Sequence, residues 1–157
     1  MVSAVLGTDT GVYRLRGGEL SALGLADQRI SAIHAWSNPD GTLAILAGSY
    51  GNGLFRSEDG GGHWSPVREG LTAPAFRTIV PDPLDSGAIL CGTEPARLFR
   101  SRDGGRSWHE LDAIAALPGT ADWYLPYSPR AGAVRNIYAP PGGNRLLAGS
   151  APDRPVT

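Results

Sequence analysis

The stretch SEDGGGHW, residues 57–64, decides the fold because it recurs as SRDGGRSW at residues 101–108. The recurrence includes the residues before each copy, since LFRS at 54–57 aligns with LFRS at 98–101. Equivalent positions lie about 44 residues apart, a length typical of one repeated supersecondary unit. We therefore interpret the chain as a repeat protein.

Each unit is predicted to consist of short strands separated by turns. Two weaker copies are visible, at residues 6–15 and 134–150. Four short strands in about 44 residues is the size of one β-propeller blade. The sequence therefore predicts an all-β fold, a propeller of four-stranded antiparallel blades with about three to four blades present. In the clearest unit the predicted strands are at residues 75–80, 88–92, 98–101 and 107–111.

The repeated octapeptide has the composition of a tight hairpin turn. The short side chain of Asp59 or Asp103 can accept hydrogen bonds from the backbone N–H groups that follow it. The glycines permit the positive φ angles of a tight connection, and the tryptophan can pack against the turn and the neighbouring blade. We assign structural roles to Ser57, Asp59, Gly61, Trp64, Ser101, Asp103, Gly105 and Trp108.

This pattern resembles the Asp-box, or bacterial neuraminidase repeat, over roughly residues 5–150. The resemblance implies a β-propeller of the superfamily that contains sialidases, Vps10-type receptors and photosystem II stability/assembly factor-like proteins. In that family the Asp-box is structural and lies away from the ligand face.

The length of 157 residues corresponds to between three and four units, whereas propellers have four to eight blades. We favour part of a longer propeller over a closed four-bladed ring or an open array that needs a partner. The remaining blades would come from the same longer chain or from an oligomer. The predicted segments are a degenerate first blade (1–28), a second blade (29–73), a third blade (74–112), an inserted aromatic loop (113–133) and the start of a further blade (134–157).

Composition argues against several classes of protein. A formal net charge of −1 does not suit a nucleic-acid or anionic-membrane binder, which needs a basic excess. The single cysteine, Cys91, excludes an internal disulfide and a multi-thiolate metal site, and we expect no metal and no cofactor. No apolar run reaches the roughly 20 residues of a membrane-spanning helix. The first residues lack the features of a signal peptide, so a cytoplasmic location is the default expectation.

Candidate ligand-binding residues lie on the face that carries the blade-to-blade crossovers and the loops between second and third strands. Arg77 and Arg135 occupy equivalent positions, each two residues before an isoleucine of a first strand. Two guanidinium groups there could bind a carboxylate or an acidic peptide segment. The alternative is a pair of structural salt bridges. Glu94 and Arg97 are further candidates, in the loop between the second and third strands.

An insertion of about a dozen residues enlarges the crossover after the second full copy. Long aromatic loops on a rigid scaffold often carry binding sites. The alternative is that these aromatic residues cover the core of their own loop. The candidates in the insertion are Trp123, Tyr124, Tyr127 and Arg130.

The sequence favours a non-catalytic propeller scaffold that binds a protein or another ligand on the face opposite the Asp-boxes. Residues 76–81, FRTIVP, are similar to the Phe-Arg-Ile-Pro motif of sialidases but differ by an insertion and by following an Asp-box. The Tyr–Glu pair, the acid/base Asp and the further arginines of a sialidase cannot be assigned. One alternative is the N-terminal part of a sialidase-like glycoside hydrolase, and a second is a carbohydrate-binding propeller.

Overall fold

The computed structural model describes residues 3–118, 132–138, 140 and 146–150. Over these residues no helix has the length and apolar character needed to cross a membrane. One short helix, α1 (Asp112–Ala115), follows the strand β11. The strands are β1 (Ser3–Thr8), β2 (Gly11–Arg16), β3 (Glu19–Gly24), β4 (Ile30–Ser37), β5 (Leu43–Ser49), β6 (Leu54–Ser57), β7 (Ser65–Val67), β8 (Ala75–Pro81), β9 (Ile89–Glu94), β10 (Leu98–Ser101), β11 (His109–Glu110), β12 (Val134–Tyr138) and β13 (Leu147–Ser150).

The strands form antiparallel sheets whose spatial order follows the chain. Sheet 1 is β1-β2-β3, sheet 2 is β4-β5-β6-β7, sheet 3 is β8-β9-β10-β11, and sheet 4 is β12-β13. The first strands of sheets 2, 3 and 4 contact one another in sequence, β4 with β8 and β8 with β12. The sheets of the described residues do not close a ring, so the closed four-bladed alternative is not observed. The predicted all-β fold of antiparallel sheets is confirmed.

The hydrophobic core lies in the layers between consecutive sheets. Between sheets 2 and 3, Leu46, Phe76 and Phe99 are fully buried in one cluster. Between sheets 3 and 4, Leu90 and Val134 are buried in a second cluster. A third, smaller cluster joins sheets 1 and 2. Each sheet is therefore held chiefly by its neighbours, as in other repeat architectures.

A glycine in the second strand of sheets 2 and 3 allows the next sheet to pack closely. A Cβ atom on Gly92 of β9 would lie 2.5 Å from Val134 Cγ1 and 2.6 Å from the Val134 carbonyl oxygen. A Cβ on Gly48 of β5 would collide in the same way with the side chain of Phe76. A Cβ on Gly7 of β1 would likewise collide with Ile30 of sheet 2. In its packing against the next sheet, β1 therefore corresponds to the second strands β5 and β9. Gly149 of β13 has the same register, but among the described residues a Cβ there would meet only atoms of its own sheet, at 3.6 Å and beyond.

Sheets 2, 3 and 4 share a β-bulge near the start of their first strands. In each first strand one residue has no partner in the register with the second strand. These residues are Ser31 in β4, Arg77 in β8 and Arg135 in β12. A bulge leaves one residue unpaired and turns its side chain away from the regular alternation. The alignment of Arg77 with Arg135 thus corresponds to a shared backbone feature.

The two octapeptides, Asp turn 1 (residues 57–64) and Asp turn 2 (residues 101–108), share a set of equivalent hydrogen bonds. In Asp turn 1, Gly61 N–H donates to Ser57 Oγ at 2.9 Å, and His63 N–H donates to Asp59 Oδ1 at 2.9 Å. The equivalent bonds in Asp turn 2 are 2.9 Å from the Gly105 N–H and 3.0 Å from the Ser107 N–H. In both turns a serine hydroxyl and an aspartate carboxylate replace the backbone acceptors that a tight turn cannot supply.

These hydrogen bonds stabilise the charged form of each aspartate. The backbone N–H and the side chain of His63 hold the pKa of Asp59 well below its usual range. Burial acts to raise the pKa of Asp103, but hydrogen bonds from the hydroxyl and the N–H of Ser107 outweigh it and lower the pKa. Both carboxylates are therefore acceptors throughout the neutral pH range.

The two tryptophans that end the Asp turns have different surroundings. Trp64 Nε1–H donates to the carbonyl of Leu23, at 2.8 Å, and so connects Asp turn 1 to sheet 1. Trp108 is fully buried, and its Nε1–H donates to Gly105 of its own turn at 3.2 Å. One ring therefore joins neighbouring sheets, whereas the other fills the layer between sheets 2 and 3.

Candidate ligand-binding face

The first strands begin at one end of the sheets, and the Asp turns lie at the other end. In sheet 3, Ala75 at the start of β8 pairs with Glu94. Ser101, where Asp turn 2 begins, pairs with Ile89 at the far end of β9. The end with the strand starts, which we call the crossover face, carries the bulge residue Arg77.

Tyr50 is the centre of a cluster on the crossover face. Its backbone N–H donates to the Arg29 carbonyl at 2.9 Å, and it forms an isolated bridge with Ala75 of sheet 3. The guanidinium carbon of Arg77 lies 4.6 Å from the centroid of the Tyr50 ring, and that of Arg29 lies 5.3 Å from it. Both distances are within the range of cation–π interactions. The ring thus brings together guanidinium groups from two adjacent sheets.

Arg77 forms a salt bridge with Glu94, the kind of contact named above as the alternative to ligand binding. Only one nitrogen of the guanidinium takes part in it. Its Nε lies 3.3 Å from Glu94 Oε2, outside hydrogen-bonding geometry, and the side chains are 15% and 7% exposed. Among the described residues, no acceptor forms a hydrogen bond with the terminal nitrogens of Arg77. The carboxylate compensates the buried charge, and the outer fork of the guanidinium has no hydrogen-bond partner among the described residues.

A cavity of about 360 Å³ lies beside the cluster. At its rim, Arg29 Nε lies 3.2 Å from Asp9 Oδ1, and both side chains are mostly exposed. Water screens such an exposed pair strongly, so a ligand can compete for Arg29 at small cost. The lining residues are Asp9, Arg29, Ile30, Ser31, Tyr50 and Arg77.

A larger cavity, of about 670 Å³, lies on the opposite face beside Asp turn 1. Two of the three arginines that line it, Arg56 and Arg106, pair with Glu58. Arg56 chiefly, with Arg106, holds the pKa of Glu58 below its usual value. Glu58 therefore already matches the charges of Arg56 and Arg106, whereas the terminal nitrogens of Arg77 on the crossover face have no hydrogen-bond acceptor among the described residues.

The chemistry of the Tyr50 cluster suits an anion. Each guanidinium presents a planar fork that matches a carboxylate, and the tyrosine ring limits the positions that the forks can take. No group of three or more histidine, cysteine, aspartate or glutamate side chains within the described ranges could hold a metal ion. Cys91 is fully buried in β9, and burial raises the pKa of its thiol. The charged groups of the Tyr50 cluster are thus guanidinium donors, which suit an anion.

The other candidates from the sequence have different positions. Arg97 Nη1 donates to Glu110 Oε1 at 2.5 Å, a pairing within sheet 3. Arg135 is exposed at the bulge of β12. The aromatic-loop candidates lie outside the described residues, namely Trp123, Tyr124, Tyr127 and Arg130.

Sequence reasoning did not select Arg29 or Tyr50 as site residues. Tyr50 follows Ser49 in the repeat as Glu94 follows Thr93, so the alignment places both side chains at the end of a second strand. Arg29 directly precedes β4. A search for charged and aromatic residues at these aligned strand ends would have found the cluster.

The chain is similar in structure to proteins of known structure. No protein-family model matches the chain, and no curated protein matches it. The chain is similar to the structure described as YCF48 bound to D1 peptide, with 21% identity, a TM-score of 0.50, and coverage of 93% of this chain and 44% of that one. It is also similar to a GH74 xyloglucanase from Xanthomonas campestris, with 22% identity, a TM-score of 0.55, and coverage of 91% and 23%.

These comparisons, with the sheet order, decide the architecture. The chain has the fold of part of a β-propeller. It spans less than half the length of each of these two solved chains. At such low identities the likeness concerns the fold, because one fold carries many functions.

Proposed function

We propose that this chain is a non-catalytic propeller scaffold that binds a carboxylate-bearing peptide segment on the crossover face. The observation that carries the proposal is the pair of guanidinium groups, Arg29 and Arg77, held against the Tyr50 ring beside a cavity. The outer fork of Arg77 offers two parallel donors, the geometry that recognises a carboxylate.

Two further observations support a peptide as the ligand. The cavity of about 360 Å³ is at the lower end of the range for ligand pockets, and it suits one or two side chains of an extended segment. One propeller of similar fold has been solved with a peptide bound. Peptide binding by this chain does not follow from that likeness, but the fold is compatible with it.

Fluorescence anisotropy with a labelled acidic hexapeptide of alternating glutamate and glycine tests the proposal. The matched probe has glutamine in place of glutamate. We expect the acidic peptide to bind more tightly, and Arg77→Gln to weaken that binding by about tenfold or more, because a charge-assisted hydrogen bond contributes about 1.5–3 kcal/mol.

Arg102→Gln is the matched control, since it removes one positive charge from an exposed side chain of Asp turn 2. We expect Arg102→Gln to change the affinity by less than about twofold in about 0.15 M salt, where distant charges are screened. If Arg77→Gln and Arg102→Gln weakened the binding of the acidic peptide equally, the binding would depend on the net charge of the protein and not on a specific site. Equal affinity for the acidic and the glutamine peptides would contradict carboxylate recognition.

A further inference from the structure

Asp9 places an acidic side chain beside the Tyr50 cluster, from the turn between β1 and β2. Thr8 Oγ1 donates to the Gly11 carbonyl at 3.0 Å and accepts the Thr10 N–H at 3.1 Å, so hydrogen bonds close this turn. Gly11 has a φ of 110°, a conformation that glycine adopts without strain. The turn therefore holds the backbone of Asp9 at the rim of the cavity, while the side chain is 82% exposed.

The Asp9 carboxylate contacts Arg29 through one nitrogen. Arg29 Nε–H donates to Asp9 Oδ1 at 3.2 Å, and among the described residues no acceptor forms a hydrogen bond with the terminal nitrogens of Arg29. Asp9 comes from sheet 1, whereas Arg29 lies directly before β4 of sheet 2. A carboxylate of the chain itself thus contacts the guanidinium that a ligand carboxylate would also bind.

The two guanidinium groups of the cluster lie close enough to meet one extended segment. Their central carbons are 4.6 and 5.3 Å from the centroid of the Tyr50 ring, so they are no more than about 10 Å apart. Side chains at alternate positions of an extended chain point to the same side and are about 6.6 Å apart. Two acidic residues at alternate positions can therefore reach both Arg77 and Arg29, but at Arg29 the second meets the negative charge of Asp9.

We propose that Asp9 is an internal competitor for Arg29 and sets the selectivity of the crossover face. The inference rests on the proposed binding of a carboxylate by Arg77. A second ligand carboxylate gains little at Arg29, because Asp9 already compensates that charge. The native chain therefore binds an extended segment with one acidic residue nearly as well as a segment with two. Loss of the Asp9 charge converts the face into a site for two carboxylates.

Two labelled hexapeptides with amidated C-termini measure the contribution of the second carboxylate. One has two glutamates at alternate positions among glycines, and the other has glutamine in place of the second glutamate. Fluorescence anisotropy gives their affinities for the full native chain and for Asp9→Asn, which keeps the size of the side chain and removes its charge. We expect the second glutamate to raise the affinity by less than about twofold in the native chain and by about three- to fivefold in Asp9→Asn, as for an exposed ion pair.

Two further variants separate this competition from a change in net charge. Asp40→Asn removes an exposed carboxylate from the loop between β4 and β5, at the opposite end of the sheet, and should behave as the native chain does. Combining Arg29→Gln with Asp9→Asn removes the second guanidinium, so the second glutamate should again contribute less than about twofold. A threefold contribution in the double variant, or in Asp40→Asn, would overturn the proposal.

The outcomes distinguish the role of Asp9 from the proposed function. If the second glutamate contributed equally in the native chain and in Asp9→Asn, carboxylate binding would stand and the competition would be refuted. If neither protein bound either peptide, both proposals would fail. Binding by Asp9→Asn alone would support the competition, with the native contact blocking the site. We expect equal thermal midpoints for the two proteins, because so exposed an ion pair adds little to stability.

Discussion

Replacing Gly92 with alanine tests whether close contact between sheets stabilises the fold. A Cβ at this position would lie 2.6 Å from the Val134 carbonyl oxygen, a backbone atom that cannot rotate away. Ordinary contact needs about 3.5–4.0 Å, so sheets 3 and 4 must separate locally by about 1 Å. Over-packing of this kind costs about 1–3 kcal/mol, and a gap of 1 Å forfeits up to half of the dispersion energy of the atoms it parts.

We expect Gly92→Ala to lower the free energy of unfolding by about 1–3 kcal/mol. The thermal midpoint should fall by about 2–4 °C for each kcal/mol. Urea titration followed by tryptophan fluorescence measures the loss, since Trp108 is buried in the native state. Gly92 does not have a positive φ, so alanine fits its backbone and the cost is steric.

Gly149→Ala is the matched control, because Gly149 has the register of Gly92 but no sheet of the described residues packs against it. Its new Cβ would meet Asn136 at 3.6 Å, which is ordinary contact. We expect unchanged stability, or a gain of up to about 1 kcal/mol from the less flexible unfolded chain. Equal destabilisation by Gly92→Ala and Gly149→Ala, or none by Gly92→Ala, would refute the packing role.

Three further predictions concern the core, the link between sheets and the Asp turns. Phe99→Ala should cost about 3–5 kcal/mol in urea denaturation, because Phe99 is fully buried, and a loss below about 1 kcal/mol would contradict its place in the core. Trp64→Phe should cost about 1 kcal/mol through the lost bond to Leu23, and unchanged stability would show that this bond contributes nothing. The pKa of Asp103 is lower in the native state than the unfolded value of about 3.9, so its stabilisation is present above that pH and is lost as the pH falls below about 4. Thermal midpoints between pH 6 and 3 should therefore fall less steeply in Asp103→Asn than in the native chain, and parallel curves would contradict the assignment.

The strands of the clearest repeat could be predicted from local sequence because turns and apolar runs mark their ends. The predicted strand at residues 98–101 coincides with β10, and the apolar run at 88–92 overlaps β9. The predicted fourth strand at 107–111 is longer than β11, which is confined to His109–Glu110. Hydrogen bonds from Ser107 to Asp103 hold the preceding residues in the turn. The predicted boundaries between units stay a prediction.

The relations between sheets were harder to predict because they depend on distances between units. Gly48 and Gly92 align in the repeat, yet a glycine in a strand does not reveal what approaches it. Arg77 could be selected from its register, but its contacts with Tyr50 and Glu94 join different loops. The repeat thus predicted which positions are equivalent, and the three-dimensional packing decides what each position touches.

The β-bulges separate the positions that can evolve new recognition from those that maintain the fold. Ser31, Arg77 and Arg135 lie outside the strand ladders, and they already include two different residue types. Mutations at these three sites can change the charge of one surface without removing a paired position from the strand ladders. A combinatorial library restricted to these positions should therefore contain many folded members with different ligand preferences, and this tolerance allows duplicated units to diverge in specificity.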